Sequence, residues 1–289
     1  MPLAHIAIAV LSVSLFGGQW VAARVVQAQV PPFVVVTMRF AFIALVMLPF
    51  VRRPRAAQWG RVAVISTFAG GINLALSYVG IGRIDSSTAV IVSQSMAPFT
   101  VLLSIVLLGE RIGWWAWVGI ALAMAGIVVL IGGPGAPPDP LGVLLVAAAA
   151  ASFAVGTVLT RKWAPLDATM LNCWSAVVGF FQIGLLSLAL EHGQLVALAA
   201  ADARGWAAIV YICAAGGLVG FALWYWLIER HPTSRLSPFL LLSPVAGMLG
   251  GVALLGEPLT LAKLVGGAVV IAGVALVQLD ARRPRPASS

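Results

Sequence analysis

Long apolar runs follow one another along this chain, divided by short polar or Pro/Gly stretches. A bilayer crossing needs about 20 predominantly apolar residues. On that measure the pattern predicts spans at 4–24, 33–51, 61–79, 86–108, 114–131, 140–161, 167–190, 206–228, 236–256 and 260–279. The punctuation supports the division: Pro31-Pro32, R-R-P-R at 52–55, G-R-I-D at 82–85, G-E-R at 109–111 and G-G-P-G-A-P-P-D-P at 132–140. The last of these cannot be helical. Ten such runs leave only short loops and no water-soluble domain, so the function is expected inside the membrane part. The opening M-P-L-A-H lacks the basic flank of a secretory signal, and the first span is read as retained.

The series is written twice. A-G-G at 69–71, Tyr78, A-P at Pro98, L-L-G-E at Glu110 and glycines at 119 and 126 return as A-A-G-G at 214–217, Trp224, S-P at Pro244, L-L-G-E at Glu257 and glycines at 266 and 273. Gly70 and Gly216, Tyr78 and Trp224, and Pro98 and Pro244 are each 146 positions apart; Glu110 and Glu257 are 147 apart. A repeat of this length implies one module used twice: a first five-helix copy at 1–131, a linker at 132–140, and a second copy with a basic tail at 141–289. Five crossings is an odd number, so the second copy must enter the membrane upside-down, as in inverted-repeat transporters. Lys and Arg accumulate in cytoplasmic loops. Twelve of the 17 fall on loops 2–3, 4–5, 6–7, 8–9 and the tail, against four opposite, with Arg39 inside a span. Both termini are therefore expected in the cytoplasm.

Composition agrees with this plan. The 289 residues are 61% hydrophobic and 9% charged, with a mean hydropathy of +1.05; soluble chains are nearer a quarter charged. The net charge of +8 and pI near 10.7 would suggest nucleic acid in a soluble protein, but here loop asymmetry accounts for them. No nucleic-acid partner is expected. Cys173 and Cys213 lie in apolar runs and are read as packing residues, so neither a disulfide framework nor a zinc pattern is present.

Several residues inside the spans could carry function. Pro98 and Pro244 lie near the middles of spans 4 and 9, where proline removes a backbone hydrogen bond. A static kink is the plain reading. Their symmetry favours interruptions that open backbone polar groups to a central cavity. Ser93, Gln94 and Ser95 before Pro98, and Ser237 and Ser243 before Pro244, add polar groups there. Gln19, Arg39, Asn73, Asn172 and Gln182 are further polar residues within spans; such residues face a cavity or another helix. Arg39 is read first as snorkelling or structurally paired and second as a counter-charge to an anionic group. Tyr78 and Trp224, with Trp20, Trp174 and Tyr225, could line or gate a cavity; lipid contact is the plain alternative for each. Trp59, Trp114, Trp115, Trp163 and Trp206 sit near span ends as interfacial anchors. Glycines in spans 3, 5, 8 and 10 are assigned to close helix packing. Every Asp, Glu and His falls at a span end or in a loop. That leaves no buried proton relay, no metal site and no paired acid and base for an enzyme. No cofactor is expected.

G-F-A-L-W-Y-W-L-I-E-R (220–230), L-S-P-F-L-L-L-S-P-V (236–245), L-L-G-E-P-L-T (254–260) and A-P-F…L-L-G-E-R-I (97–112) resemble the EamA family of the drug/metabolite transporter superfamily, and the likeness covers nearly the whole chain. It implies an all-α integral membrane protein of ten helices. They form two inverted repeats around a cavity built from spans 1–4 and 6–9, with spans 5 and 10 outside. Many relatives carry an acid before the span-9 proline; Ser243 stands there in this chain. A nearly uncharged interior rich in aromatics and amides favours small neutral solutes, aromatic amino acids first. Phosphorylated solutes would call for several cavity cations. The expectation is a secondary transporter of such metabolites working by alternating access, most plausibly an exporter, in the bacterial inner membrane. Its partners would be its solute and lipid, and a monomer fits this plan. Another solute class of the superfamily, or a passive channel, is the alternative.

Overall fold

The computed structural model describes residues 1–133 and 137–281, and these are helical with no strand. Ten apolar helices follow in order: α1 Leu3–Gln27, α2 Pro32–Met47, α3 Ala56–Ile81, α4 Ser86–Leu108, α5 Trp114–Gly132, α6 Pro140–Lys162, α7 Ala168–Leu190, α8 Ala203–Arg230, α9 Thr233–Leu255 and α10 Leu261–Ala281. Nine of these are long and apolar enough to cross a bilayer; α2, at 16 residues, is shorter. Residues 134–136 of the linker predicted at 132–140, and Arg282, Arg283 and Arg285 of the basic tail, lie outside the described residues.

The helix ends have local causes. Pro140 opens α6, and the Asp139 carboxylate accepts from the Leu141 N–H at 3.0 Å. Asp167 and Asp202 cap α7 and α8 in the same manner. The sequence extends α2 to residue 51, but the helix stops at Met47. Pro49 follows closely, cannot donate an N–H and disfavours helix at the residue before it. The L-L-G-E motif is a helix stop. Gly109 and Gly256 turn left-handed at φ 67° and 65°, and the next N–H, of Glu110 and Glu257, reaches back to the carbonyls of Ser104 and Gly251.

The two copies lie antiparallel. The start of α2 meets the end of α7, where Phe33 and Val34 donate their N–H groups to Glu191. The start of α4 meets the end of α9 through Ser86 and Glu257. The start of α5 meets the end of α10 through Gly113 and Asp280. Equivalent helices thus run in opposite senses in all three pairs, as an inverted repeat requires. Contacts follow the same two-fold relation: α1 packs on α8 and α9 as α6 packs on α3 and α4, while α2 packs on α7 and α5 on α10. The α5–α10 seam is backbone against backbone. A Cβ on Gly119 would fall 2.6 Å from the Gly273 carbonyl, and one on Gly273 would fall 2.4 Å from the Ala123 nitrogen. Small residues permit this approach where lipid supplies no hydrophobic drive.

Two further irregularities occur in both copies. A wide π-helical turn occupies Thr67–Ile72 of α3 and Tyr211–Val219 of α8, around the paired glycines. Helix α4 is interrupted between Ser93 and Met96, and α9 at Leu241, each shortly before its central proline.

Candidate functional site

Where α1, α2, α3, α4, α6, α8, α9 and α10 converge they enclose a cavity of about 330 Å³. That lies in the range of small-molecule pockets, about 300–1,000 Å³. Both helix interruptions open onto it. Gln94 and Leu240 line the cavity. Each sits four residues before a proline, so its carbonyl loses the usual i+4 helical N–H partner. Ala97 and Ser243, one step before the prolines, also line it. The prolines do not. Pro98 and Pro244 are buried in helix packing and act on the cavity through the helical bond they remove; the Gln94 carbonyl accepts instead from the Ala97 N–H at 3.2 Å. Ser95 is fully buried off the cavity, its hydroxyl without a hydrogen-bond partner.

Polar groups reach the cavity from several helices. Gln19 in α1 donates from Nε2 to the Gly216 carbonyl at 3.3 Å, while its buried Oε1 has no partner. Asn73 donates to the Ala149 carbonyl at 2.8 Å, and Ser93 to Val90 at 2.7 Å. Arg39 turns inward, with its guanidinium against the Tyr78 hydroxyl. Its buried Nε has no partner. Of the sequence readings of Arg39, snorkelling is corrected: α2 presents this side chain to the cavity, against Tyr78, and not to the outer edge. Among the lining residues there is no Asp, Glu, His, Lys or second Arg. The described residues hold no group of three or more metal-ligating side chains.

Apolar groups complete the wall: Phe16, Trp20, Phe153, Phe221 and Met96, with Tyr78. Of the aromatic candidates from sequence, Trp20 and Tyr78 line the cavity and the others lie elsewhere. Trp174 stands at one end of the bundle, its indole N–H donated to the Arg52 carbonyl at 3.1 Å and its ring edge-on to Trp59. Trp224 packs with Ala9, Leu227 and Leu236, touching Phe16 edge-on at 6.4 Å. Tyr225 is 40% exposed on the outside of α8. The amides Asn172 and Gln182 also prove structural, bonded to Met47 and Thr67 on neighbouring helices. Spans 5 and 10 were expected to pack only. Helix α5 does, but Val274 and Gln278 of α10 reach the cavity. Phe16, Ser77, Phe153, Phe221 and Gln278 carried no singular signal in the sequence. They are ordinary members of long apolar runs whose helical phase decides what they face.

Outside the cavity, acidic residues are structural clamps. Glu257 takes three hydrogen bonds from the first turn of α4: Ser86 N–H and Oγ–H at 2.7 Å each, and Ser87 N–H at 2.9 Å. Burial works to raise its pKa, but the bonds from Ser87 and Ser86 outweigh it, and the carboxyl is held below its usual range. Lys263 binds Asp85 at 2.7 Å beside it. A wider recess on the opposite face of α1, lined by Gly18, Val21 and Val25, is rimmed by such already engaged residues, Arg24, Asp202 and Glu257 among them.

The profile of the EamA-like transporter family matches residues 3–132 and again 140–279. A probable amino-acid metabolite efflux pump of Salmonella typhimurium is 30% identical over 276 residues, covering 92% of each chain. That of Escherichia coli is 29% identical over 280 residues with the same coverage. A probable terminal-alkyne amino-acid exporter of Streptantibioticus cattleyicolor is 30% identical over 232 residues, covering 78% of this chain and 75% of its own. A crystal structure spanning 99% of both chains superimposes with a TM-score of 0.66 at 21% identity, which speaks to the fold. With its duplicated profile match and its helical membrane architecture, this chain belongs to the EamA-like transporter family, an integral membrane transporter and not an enzyme.

Proposed function

We propose that the protein exports small, overall neutral amino acids, aromatic ones in preference, by alternating access of its two copies around the central cavity. The observation that carries this reading is the cavity's charge and surface: one guanidinium, no carboxylate, several amides and five aromatic rings. A free amino acid brings a carboxylate, an ammonium and a side chain. Arg39 takes the carboxylate, a charge-assisted bond of the stronger kind. The ammonium is met by neutral acceptors, Gln19 Oε1 and the carbonyls of Gln94 and Leu240, with ring faces nearby. Trp20, Tyr78, Phe153 and Phe221 bury the side chain.

A solute with several phosphates would face a single cation and fits poorly. The named relatives, amino-acid efflux pumps and an exporter, support the same class. We further propose that the termini face the cytoplasm of a bacterial inner membrane, from the loop charges, and that the two copies are bounded as the repeat suggests. With no ionisable acid on the cavity wall, transport proceeds as uniport or exchange and needs no pH gradient. Counterflow of labelled phenylalanine in proteoliposomes without a pH gradient is expected to saturate and to be competed by tryptophan. Flux that rises linearly with concentration would mark a channel, and a strict need for a pH gradient would overturn the coupling.

A further inference from the structure

The L-L-G-E motif ends α4 and α9 identically: positive-φ glycine, a back-bonded glutamate N–H, and a carboxylate thrown clear of the helix. What the two carboxylates meet differs. Glu257, 8% exposed, grips Ser86 and Ser87 at the start of α4. Gly251 makes the space for it, since a Cβ there would fall 2.5 Å from Glu257 Oε2. The two-fold relation gives Glu110 a corresponding target, the first turn of α9, which also opens on two hydroxyl residues, Thr233 and Ser234. The bond that is seen for Glu110 is a different one. The carboxylate is a third exposed and pairs with Arg161 at the end of α6, which is half exposed. The backbone shows the same asymmetry. The first half of α4 (Ser86–Ser93) packs on the second half of α9 (Leu242–Leu255). The second half of α4 (Met96–Leu108) and the first half of α9 (Thr233–Leu240) make no comparable contact among the described residues.

We infer that Glu257 and Glu110 are reciprocal latches of the transport cycle: the first holds α4 to α9 on the face away from the chain ends, and the second closes the other face when the first releases. The inference rests on the alternating-access reading above. The first turn of any helix has N–H groups with no intrahelical partner and a positive dipole end, which favour an anion. Closing one latch while opening the other therefore exchanges like for like. Leaving Arg161 costs Glu110 little, because an exposed ion pair is weak. In this scheme the state held by Glu257 is the one open toward the face of the chain ends. Ser104 stands where the other copy has Gly251, so the Glu110 latch has less room, which biases the resting protein toward this state.

The test uses a single reporter, Ala97→Cys on the cavity wall, in the full chain with Cys173 and Cys213 replaced by alanine. Vesicles of known sidedness are treated with a membrane-impermeant maleimide. In the otherwise unchanged chain, labelling from the face of the termini should exceed labelling from the opposite face at least fivefold. Glu257→Gln should raise labelling from the opposite face severalfold, and Glu110→Gln should lower it. Ser86→Ala and Ser104→Gly, milder changes, should move it the same way as Glu257→Gln. Equal labelling from both faces in the unchanged chain, or shifts of the same sign for Glu257→Gln and Glu110→Gln, would overturn the inference, as would no shift in either. Labelling needs no transported solute, so it fails or holds apart from the substrate assignment.

Discussion

Tyr78 in α3 and Trp224 in α8 hold the same place in the two copies, yet Tyr78 faces the cavity and Trp224 packs outside it. The reason is phase. A π-helical turn takes more residues than an α-helical one, so every residue beyond it is rotated about the helix axis. The wide stretch is six residues in α3 and nine in α8. In α8 the rotation brings Phe221 to the cavity wall and carries Trp224 and Tyr225 away. The α5–α10 seam shows the opposite behaviour: both helices are unbroken, and Gly119, Gly126, Gly266 and Gly273 meet symmetrically. Duplication preserves depth and order, while local turn geometry decides which face looks inward.

Breaking the symmetric seam should have the largest effect. Gly273→Leu drives a side chain into the Ala123 and Gly119 backbone and should cost about 3 kcal/mol or more, at the upper end of overpacking effects. Thermal unfolding in detergent would show this as a clear drop, whereas Gly60→Leu, with nothing within 4 Å of its Cβ, should leave the midpoint unchanged. Next is Arg39→Gln. Losing a charge-assisted bond of about 1.5–3 kcal/mol should weaken counterflow of phenylalanine by roughly 10–100-fold. The asymmetric pair comes third: Tyr78→Ala should reduce flux about 2–10-fold, from the worth of an aromatic contact, and Trp224→Ala should change it less. Equal losses would contradict the difference in phase.

The smallest expected effect is in pH. The Glu257 carboxyl is held below its ordinary range, so its hold on α4 is present above that range and lost only as pH falls through the depressed value. The ratio of cavity labelling from the two faces should therefore stay flat from pH 8 to 5, while the labelling itself slows as the thiol is protonated.

Much of the fold was legible because lipid leaves the chain few choices. Apolar runs of bilayer length, the 146-residue echo and an odd crossing number yield ten helices in two opposed copies. The depth of the site was legible too, since proline at mid-span removes a helical hydrogen bond whatever surrounds it. Gln19, Trp20, Asn73, Tyr78, Ser93, Gln94 and Ser243 follow from polarity, ring chemistry or nearness to that break, and all line the cavity. The facing of α8 was not legible. Nothing in Y-I-C-A-A-G-G-L-V announces a stretch of wide turns, so Phe221 carried no signal and Trp224 stood as a wall candidate. Gln278 was missed because the glycine seam of α10 marks only one of its faces. Trp174 was misplaced because indole suits a binding wall and an interfacial anchor equally.

The most direct test of the account is paired: saturable phenylalanine counterflow by the unchanged protein, and by Arg39→Gln, measured with equal amounts of folded protein in the same liposomes. The account predicts saturation in the first and at least a tenfold loss of apparent affinity in the second. Undiminished affinity without the guanidinium would contradict it.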